Sequence, residues 1–220
     1  MPISQPPFAV LWDLDGTLID SENYWMQAER QLASRYSGQW ESHDGLQLIG
    51  LSLFESSVIM KDRMQIDDLS PLEIIDELTD SVMANLAKEV PWRPGAKELL
   101  LQLRGAGIKT ALVTMSMKRM AQVVVDAIDF DAFDLVLGGD EVENGKPHPD
   151  PYLKAAAALS VSPEHCIAIE DSLNGLLSAE AAGTKAIGVP NIVNLPAQPN
   201  RIIWQTLEGA TLSQLQELFN

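Results

Sequence analysis

Five short apolar runs, separated by helical patterns, constrain the fold of this chain more than any other feature. The runs lie at Phe8–Trp12, Ile108–Val113, Asp134–Leu137, Cys166–Ile169 and Lys185–Val189. Near-continuous hydrophobicity over such short lengths is typical of strands that are buried on both faces, as in a parallel sheet. The helical patterns after residue 90 lie at Gly95–Arg104, Ser116–Ile128, Asp150–Leu159 and Ser172–Ala182. This alternation predicts an open α/β fold with helices on both faces of the sheet.

Residues 20–90 interrupt the alternation, because they contain helical patterns and no convincing strand. The sequence Ser70-Pro71-Leu72-Glu73 is a capping box with proline at the first helical position, which predicts the start of a helix. The segment holds 14 acidic and 5 basic side chains, a net charge of −9. We interpret residues 20–90 as a helical cap domain. Linkers at Thr17–Asp20 and Val90–Pro94 would join it to a core domain formed by residues 1–19 and 91–220.

Composition excludes several classes of protein. The chain has 220 residues, of which 15 are Lys or Arg and 31 are Asp or Glu, so its net charge is −16. No basic block with interleaved aromatics offsets this charge, and we expect no nucleic-acid partner. Cys166 is the only cysteine, which excludes an intrachain disulfide and a cysteine-rich metal site.

The location of the protein follows from similar arguments. No stretch approaches the roughly 20 apolar residues that cross a bilayer. The segment Met1–Pro7 lacks the positive charge of a signal peptide, and the apolar run after it is too short for one. We therefore expect a cytoplasmic protein without a membrane partner. The sequence leaves the oligomeric state open, and our expectation is a monomer or weak homodimer.

Four polar clusters follow predicted strands. They are Asp13-Leu14-Asp15-Gly16-Thr17, Val113-Thr114-Met115-Ser116, Gly145-Lys146-Pro147-His148-Pro149-Asp150 and Ile169-Glu170-Asp171-Ser172. The carboxyl ends of parallel strands share one edge of a sheet, and ligands bind in the crevice at that edge. We therefore expect the four clusters to converge there, although they are far apart in sequence.

The residue types in these clusters suit phosphoryl chemistry. Paired acids such as Asp13 and Asp15 suit Mg²⁺, with one of them free to act as a nucleophile. Thr114, ahead of a helix, and the first free amides of that helix suit a phosphate. Lys146, between glycine and proline, would offset the charge of a carboxylate and a phosphoryl group. Taken singly, the same residues are also compatible with a solvated turn, a helix N-cap and a surface lysine.

Glu170 and Asp171 add two more carboxylates to the same edge. Like unit charges 4 Å apart repel by on the order of 4 kcal/mol at an effective dielectric of 20. Either these acids point away from Asp13 and Asp15, or a divalent cation lies among them. Because all four clusters follow strands, we favour the cation.

In this order and spacing the clusters resemble the haloacid dehalogenase superfamily, and more narrowly its branch with a small helical cap. That branch includes β-phosphoglucomutase and phosphoglycolate phosphatase. The resemblance covers nearly the whole chain. It implies a Rossmann-like core, a cap inserted after the first motif, and Mg²⁺-dependent phosphoryl transfer.

The resemblance also implies roles for individual residues. Asp13 would attack phosphorus and form an aspartyl-phosphate. Asp15 would protonate the leaving oxygen and then activate the water that releases phosphate. Thr114 and the amide of Met115 would hold the phosphoryl oxygens, and Lys146 would offset charge on Asp13 and the phosphoryl group.

By the same resemblance, Mg²⁺ would be bound by Asp13, the backbone carbonyl of Asp15, and Asp171. Glu170 would lie beside the metal without binding it directly. The chain departs from the pattern at Met115, where many relatives carry a small or amide side chain.

We therefore predict a phosphatase of a small phosphorylated metabolite, such as a sugar phosphate. The alternative is a phosphomutase, in which Asp15 returns the phosphoryl group to a second hydroxyl. The resemblance implies a cap arginine for that reaction. Ser42–Ser57 contains no Arg or Lys, but Lys61 and Arg63 are close in sequence. A silent binding protein with this fold is a third alternative, although such proteins usually lose an essential acid.

Candidate substrate-facing positions in the cap are Tyr24, Trp25 and the Gly50-Leu51-Ser52 turn.

Overall fold

The fold is built around a parallel six-stranded sheet, and the strand that comes first in the sequence lies near its centre. The structure is a computed structural model and describes residues 8–199 and 201–219. In spatial order the strands are β3 (Leu135–Leu137), β2 (Lys109–Val113), β1 (Ala9–Trp12), β4 (Cys166–Glu170), β5 (Lys185–Gly188) and β6 (Ile202–Ile203). All five predicted strands are present. The sixth has two residues, too few for a hydropathy pattern.

The register of the central strands brings three polar clusters to one level. Trp12, the last residue of β1, pairs with Leu112 on one side and with Ile169 on the other. Asp13 directly follows β1, at the level where β2 and β4 also end. The polar residues after all three strands therefore meet at a single edge of the sheet. The predicted convergence follows from this parallel pairing.

Helices cover both faces of the sheet, which confirms the α/β fold. One face packs under α5 (Ala96–Gly105) and α6 (Lys118–Asp126), and the other under α7 (Asp150–Leu159) and α8 (Leu173–Ala181). Alternate residues of β1 serve the two faces: Val10 and Trp12 face one core cluster, and Ala9 and Leu11 the other. A short α9 (Leu212–Glu217) follows β6. No helix in the described part of the chain is long and apolar enough to cross a membrane.

Residues 20–90 are helical, as predicted. They contain α1 (Glu22–Arg35), α2 (Ser42–Leu46), α3 (Leu53–Met64) and α4 (Pro71–Leu86), and no strand. The capping box forms at the start of α4, where Glu73 N donates to Ser70 Oγ over 3.3 Å and Ser70 N donates to the Glu73 carboxylate over 2.8 Å. The division of the chain into a cap domain and a core domain stays a proposal. Residues 1–7, which include the Met1–Pro7 segment, lie outside the described residues.

The two linkers run side by side. Asp20 N donates to the carbonyl of Pro91 over 2.7 Å, and Arg93 N donates to the carbonyl of Leu18 over 3.0 Å. A core loop holds both linkers, because Asn191 donates to Asp20 over 3.1 Å and accepts from Arg93 over 2.6 Å. The helical segment is therefore attached through one short, hydrogen-bonded ribbon.

Candidate active site

The polar strand ends open into a cavity of about 850 Å³, part of which is open to solvent. One wall is the sheet edge, and the facing wall is built from residues 20–90. From the sheet edge come Asp13, Asp15, Thr114, Met115, Ser116, Lys146 and Asp171. The structure therefore brings together residues from all four predicted clusters.

A glycine allows the first cluster to turn against the fourth. Gly16 has a φ of +80°, and a Cβ built on it would lie 2.0 Å from Oδ2 of Asp171. Only a residue without a side chain fits this approach in this backbone conformation. Thr17 Oγ1 donates to the same carboxylate over 3.4 Å, and Asp13 N donates to the carbonyl of Ile169 over 3.0 Å. The loop after β1 is thus packed directly on the residue that follows β4.

Three buried carboxylates form a candidate metal site. Asp13, Glu170 and Asp171 each place one oxygen within 4.8 Å of the others. Burial, with the charge of Glu170, raises the pKa of Asp13 to about 7, although Lys146 acts against this. Burial, with the charges of Asp13 and Glu170, raises the pKa of Asp171 well above its ordinary value. An all-oxygen donor set with excess negative charge suits a hard divalent cation such as Mg²⁺.

Lys146 lies inside this cluster and is itself buried. Its ammonium is 2.7 Å from Asp13 Oδ1 and 2.6 Å from Glu170 Oε1, and it donates to the carbonyl of Val113 over 2.9 Å. Burial alone would lower the pKa of Lys146, but the two ion pairs outweigh it and raise the pKa. The side chain is therefore a fixed positive charge beside the carboxylate predicted to be the nucleophile.

Glu170 has protein partners on the oxygen that faces Lys146. The Tyr152 hydroxyl donates to Glu170 Oε1 over 2.5 Å, and the Lys146 ammonium contacts the same oxygen. A Cβ at Gly175 would lie 2.0 Å from the Glu170 carboxyl carbon, so α8 begins directly against it. These contacts fit a carboxylate that lies beside a metal and holds Lys146. The distances from Glu170 to the carboxylate oxygens of Asp13 and Asp171 are also compatible with a direct metal ligand.

The Asp15 carboxylate does not join the acidic cluster. Its Oδ1 accepts from Ser21 Oγ over 2.5 Å and from Trp25 Nε1 over 2.9 Å. Its Oδ2 accepts from Ser116 Oγ over 2.6 Å and from Thr114 Oγ1 over 3.4 Å. The two acids of the first cluster are therefore held differently. Asp13 is fixed by an ion pair in the acidic cluster, and Asp15 by neutral donors at the cavity.

The chain belongs to a known enzyme family. The sequence profile described as haloacid dehalogenase-like hydrolase matches residues 10–189. The protein is a haloacid dehalogenase-like hydrolase. This confirms the resemblance that the four clusters indicate.

Individual relatives agree with this assignment. A phosphorylated carbohydrates phosphatase of Thermotoga maritima is 32% identical over 84% of this chain and 87% of its own length. A structure of a CbbY variant from Rhodobacter sphaeroides, in complex with xylulose 1,5-bisphosphate, is 26% identical with a TM-score of 0.85. That similarity covers 96% of this chain and 99% of the CbbY chain. A β-phosphoglucomutase from Clostridium difficile is 25% identical over 98% of both chains, with a TM-score of 0.82.

In this hydrolase, Thr114 and Met115 lie in a loop ahead of α6, which begins at Lys118 and not at the predicted Ser116. Thr114 Oγ1 accepts a hydrogen bond from Ser116 N over 3.0 Å. The Met115 thioether accepts from Lys146 N over 3.4 Å. The unusual methionine therefore packs on the loop that carries Lys146.

Sequence reasoning missed several residues of the site. Ser21 and Tyr152 hold the carboxylates described above, and an isolated hydroxyl side chain gave no signal for this. Ser116 belongs to the second polar cluster, but its hydrogen bond to Asp15 was not predicted. Glu22 and Glu29 also line the cavity. Both lie on the same helix face as Trp25, so the helical period of α1 contained a signal for them.

The candidate cap positions divide into two groups. Trp25, Gly50 and Leu51 line the cavity. The Tyr24 hydroxyl instead donates to the carbonyl of Glu89 over 3.2 Å, beside the linker. Ser52 caps α3, where it accepts from the backbone of the first turn. Tyr24 and Ser52 are therefore not among the cavity-lining residues that the structure describes.

The two basic residues close to the cap loop face elsewhere. Lys61 donates to the carbonyls of Ile66 and Leu69 over 2.6 Å and 2.5 Å, and so holds the turn between α3 and α4. Arg63 donates to Asp44 Oδ1 over 2.9 Å and to Gln47 Oε1 over 2.8 Å. Among the described residues that line the cavity, Lys146 alone has a cationic side chain.

Proposed function

We propose that this hydrolase is a Mg²⁺-dependent phosphatase that releases phosphate from a small phosphorylated metabolite, a sugar phosphate, through an aspartyl-phosphate on Asp13. The observation that carries the proposal is the buried contact of 2.7 Å between Lys146 Nζ and Asp13 Oδ1, with Asp171 beside it and Asp15 at the cavity. The carbohydrate phosphatase among the relatives supports the substrate class.

Asp13 is the nucleophile in this proposal. One of its carboxylate oxygens attacks phosphorus while the bond from phosphorus to the substrate oxygen breaks. An anionic nucleophile approaching an anionic phosphate is repelled, so positive charge fixed at this point lowers the barrier. Lys146 supplies one such charge through its contact with Asp13.

The acidic groups around Asp13 fit a bound Mg²⁺. Asp13, the backbone carbonyl of Asp15, and Asp171 would hold it, with Glu170 beside them. Burial, with the charge of Glu170, raises the pKa of Asp13 to about 7, and a bound cation would oppose both influences. When bound, Mg²⁺ would supply charge stabilisation to the transferring phosphoryl group.

Asp15 is the acid and then the base. It gives its proton to the departing substrate oxygen in the first step. In the second step it takes a proton from water as the water oxygen attacks phosphorus and the Asp13–phosphorus bond breaks. The products are the alcohol and inorganic phosphate, and Asp13 is regenerated. Donors from Ser21, Trp25 and Ser116 fix where this carboxylate points.

The contacts favour hydrolysis over the phosphomutase reaction. A mutase holds the distal phosphate of a bisphosphate, and an anion in a low-dielectric cleft needs a cation or several donors. Lys61 and Arg63, the basic residues closest to the cap loop in sequence, bind backbone carbonyls and other cap residues instead. A silent binding protein is disfavoured because all four predicted catalytic and metal-binding side chains meet at the site, namely those of Asp13, Asp15, Lys146 and Asp171.

The first test is phosphate release from p-nitrophenyl phosphate, with Mg²⁺ and with a chelator. We expect release with Mg²⁺ and its loss in Asp13→Asn. An Asp68→Asn variant makes the same chemical change at an exposed cap position and should keep the activity. Equal release from the Asp13→Asn and wild-type proteins would overturn the proposal. Glucose 6-phosphate formed from β-glucose 1-phosphate and a bisphosphate primer, without phosphate release, would instead establish the mutase.

A further inference from the structure

One face of α1 forms part of the cavity wall opposite the sheet. Trp25 follows Glu22 by three residues and Glu29 follows Trp25 by four, so the three side chains lie on one side of the helix. All three line the cavity. Glu29 is the least exposed of the three, with 6% of its surface exposed, and its Oε2 accepts from Trp40 Nε1 over 2.9 Å. The cavity wall thus contains a carboxyl group that is almost fully buried.

The backbone of α2 keeps Glu29 in this place. A Cβ built on Gly45 would lie 2.4 Å from Glu29 Oε2, so the helix packs its bare backbone against the carboxylate. Beyond Glu29 most of this wall is apolar. Its other members are Leu48, Ile49, Gly50, Leu51, Leu53, Ser56, Met60 and Leu78, of which only Ser56 has a polar side chain.

This part of the cavity opposes additional negative charge. Burial is the largest influence on both acids. It raises the pKa of Glu29, although Trp40 and Arg30 act against it, and raises that of Glu22 to about 7 with help from Asp15 and Glu29. An environment that makes these two carboxyls hard to ionise also disfavours a further anion beside them.

No cation in the described lining compensates for that cost. Lys146 is the only cationic side chain there, and Asp13 and Glu170 engage its ammonium. A second phosphate or a carboxylate on the substrate would lose its hydration without gaining a partner of opposite charge. A hydroxyl group loses far less, and it can hydrogen-bond to Glu29 in either protonation state.

We infer that the substrate is a phosphate monoester whose alcohol part carries hydroxyl groups and no second anion, and that Glu29 selects it. The inference rests on the proposed phosphatase function and narrows it. The alcohol part would place its hydroxyls at Glu29 and its carbon skeleton along the apolar wall. In this respect the chain would differ from the similar CbbY protein, whose structure contains a bisphosphate.

The test uses pairs of substrates that differ in one group. Glycerol 3-phosphate and 3-phosphoglycerate have a hydroxymethyl and a carboxylate at the same position, and fructose 6-phosphate is compared with fructose 1,6-bisphosphate. We expect kcat/KM to be at least about tenfold higher for the hydroxyl member of each pair, since the anion is buried unpaired. This comparison needs only the wild-type protein with Mg²⁺.

Glu29→Gln tests the residue itself. We expect the ratio of kcat/KM within each pair to fall several-fold, because the amide keeps the shape of the side chain and cannot take the negative charge that Glu29 carries when it ionises. Asp68→Asn removes one negative charge from an exposed cap position outside the cavity lining and should leave the ratio unchanged. Thermal unfolding of both variants shows that they are folded.

Several outcomes would overturn the inference. They are a preference for the carboxylate or bisphosphate member, an unchanged ratio in folded Glu29→Gln, and faster turnover of 2-aminoethyl phosphate than of glycerol 3-phosphate. If p-nitrophenyl phosphate is still hydrolysed in these cases, the phosphatase proposal stands and only the substrate class is wrong. If the wild-type protein hydrolyses none of these compounds, both proposals fall.

Discussion

Trp25 donates its indole N–H to Oδ1 of Asp15 over 2.9 Å, and this bond joins a helix of residues 20–90 to the end of the first strand. The proposed acid–base residue is therefore oriented partly from the cap side of the cavity. Ser21, at the start of α1, and Ser116, in the loop after β2, donate to the same carboxylate. Movement of α1 away from the sheet edge would break the bond from Trp25, so we expect the position of this helix and the orientation of Asp15 to be coupled.

Replacing Trp25 tests this coupling. Trp25→Phe keeps an aromatic ring and removes the donor, and we expect kcat for a sugar phosphate to fall by about tenfold. Turnover of p-nitrophenyl phosphate should fall much less, because its leaving group needs little protonation. The kcat values for the two substrates provide the measurement. Trp204→Phe, at the far edge of the sheet, is the matched control. Equal losses on both substrates would show that Trp25 does not act through Asp15.

The acidic cluster predicts a pH-dependent effect of Mg²⁺ on stability. Burial raises the pKa of Asp13 to about 7 and that of Asp171 well above its ordinary value, whereas both ionise near pH 4 in an unfolded chain. Between about pH 4 and pH 7 the folded state therefore binds more protons than the unfolded state. The metal-free protein loses stability as the pH rises through this window. We expect Mg²⁺ to raise the Tm more at pH 8 than at pH 5.

Asp171→Asn separates this charge effect from other causes. At pH 8 without metal the variant should be more stable than the wild type, by about 1–2 kcal/mol, because one member of a repelling cluster is neutral. It should also lose most of the Tm increase caused by Mg²⁺. Asp68→Asn should respond to Mg²⁺ as the wild type does. A Mg²⁺ effect of the same size at both pH values would contradict the assignment of the metal site.

Gly16 gives a prediction about backbone geometry. Gly16→Ala places a Cβ 2.0 Å from Asp171 Oδ2 at a φ of +80°, so both strain and a displaced carboxylate follow. We expect a loss of about 2–3 kcal/mol in the free energy of unfolding, measured by urea titration. Gly107→Ala is the control, because Gly107 has a φ of +71° and no neighbour within 4 Å of its Cβ. A loss no larger than that of Gly107→Ala would show that the loop relaxes away from Asp171.

Much of the core was predictable because its signals are local or follow from topology. A buried parallel strand is visible as an apolar run, and parallel strands carry their terminal residues to one edge whatever their separation in sequence. For this reason Asp13, Thr114 and Asp171 could be placed together before the structure was known. The short strand Ile202–Ile203 could not be found, because two residues have no pattern.

Residues 20–90 were predictable only as a set of helices. Sequence periodicity shows that Glu22, Trp25 and Glu29 share a face, but it does not show that this face is turned toward the sheet edge. The hydrogen-bond partners of Lys61 and Arg63 likewise depend on the tertiary structure. Both are close in sequence to the cap loop, and only the folded chain shows them bound to carbonyl groups, to Asp44 and to Gln47.

Arg119 links the two sides of the cavity from outside. This residue of α6 contacts Asp76 Oδ1 over 2.8 Å and also pairs with Asp80, and both acids lie on α4. Exposed ion pairs add little to stability, so we expect Arg119→Ala to change the Tm by no more than about 3 °C. If the contact holds the cap over the site, KM and kcat should both change several-fold.

Arg35→Ala provides the matched control for this prediction. Arg35 pairs with Glu77 over 2.5 Å, and both partners lie within residues 20–90, so the pair does not cross the cavity. Its loss should leave both kinetic constants close to those of the wild type. Sodium chloride at 0.5 M should reproduce part of the Arg119→Ala effect in the wild type, because exposed charges are screened over a few ångströms at such ionic strength. If Arg119→Ala and Arg35→Ala behave alike, the ion pairs between α6 and α4 do not control access to the site.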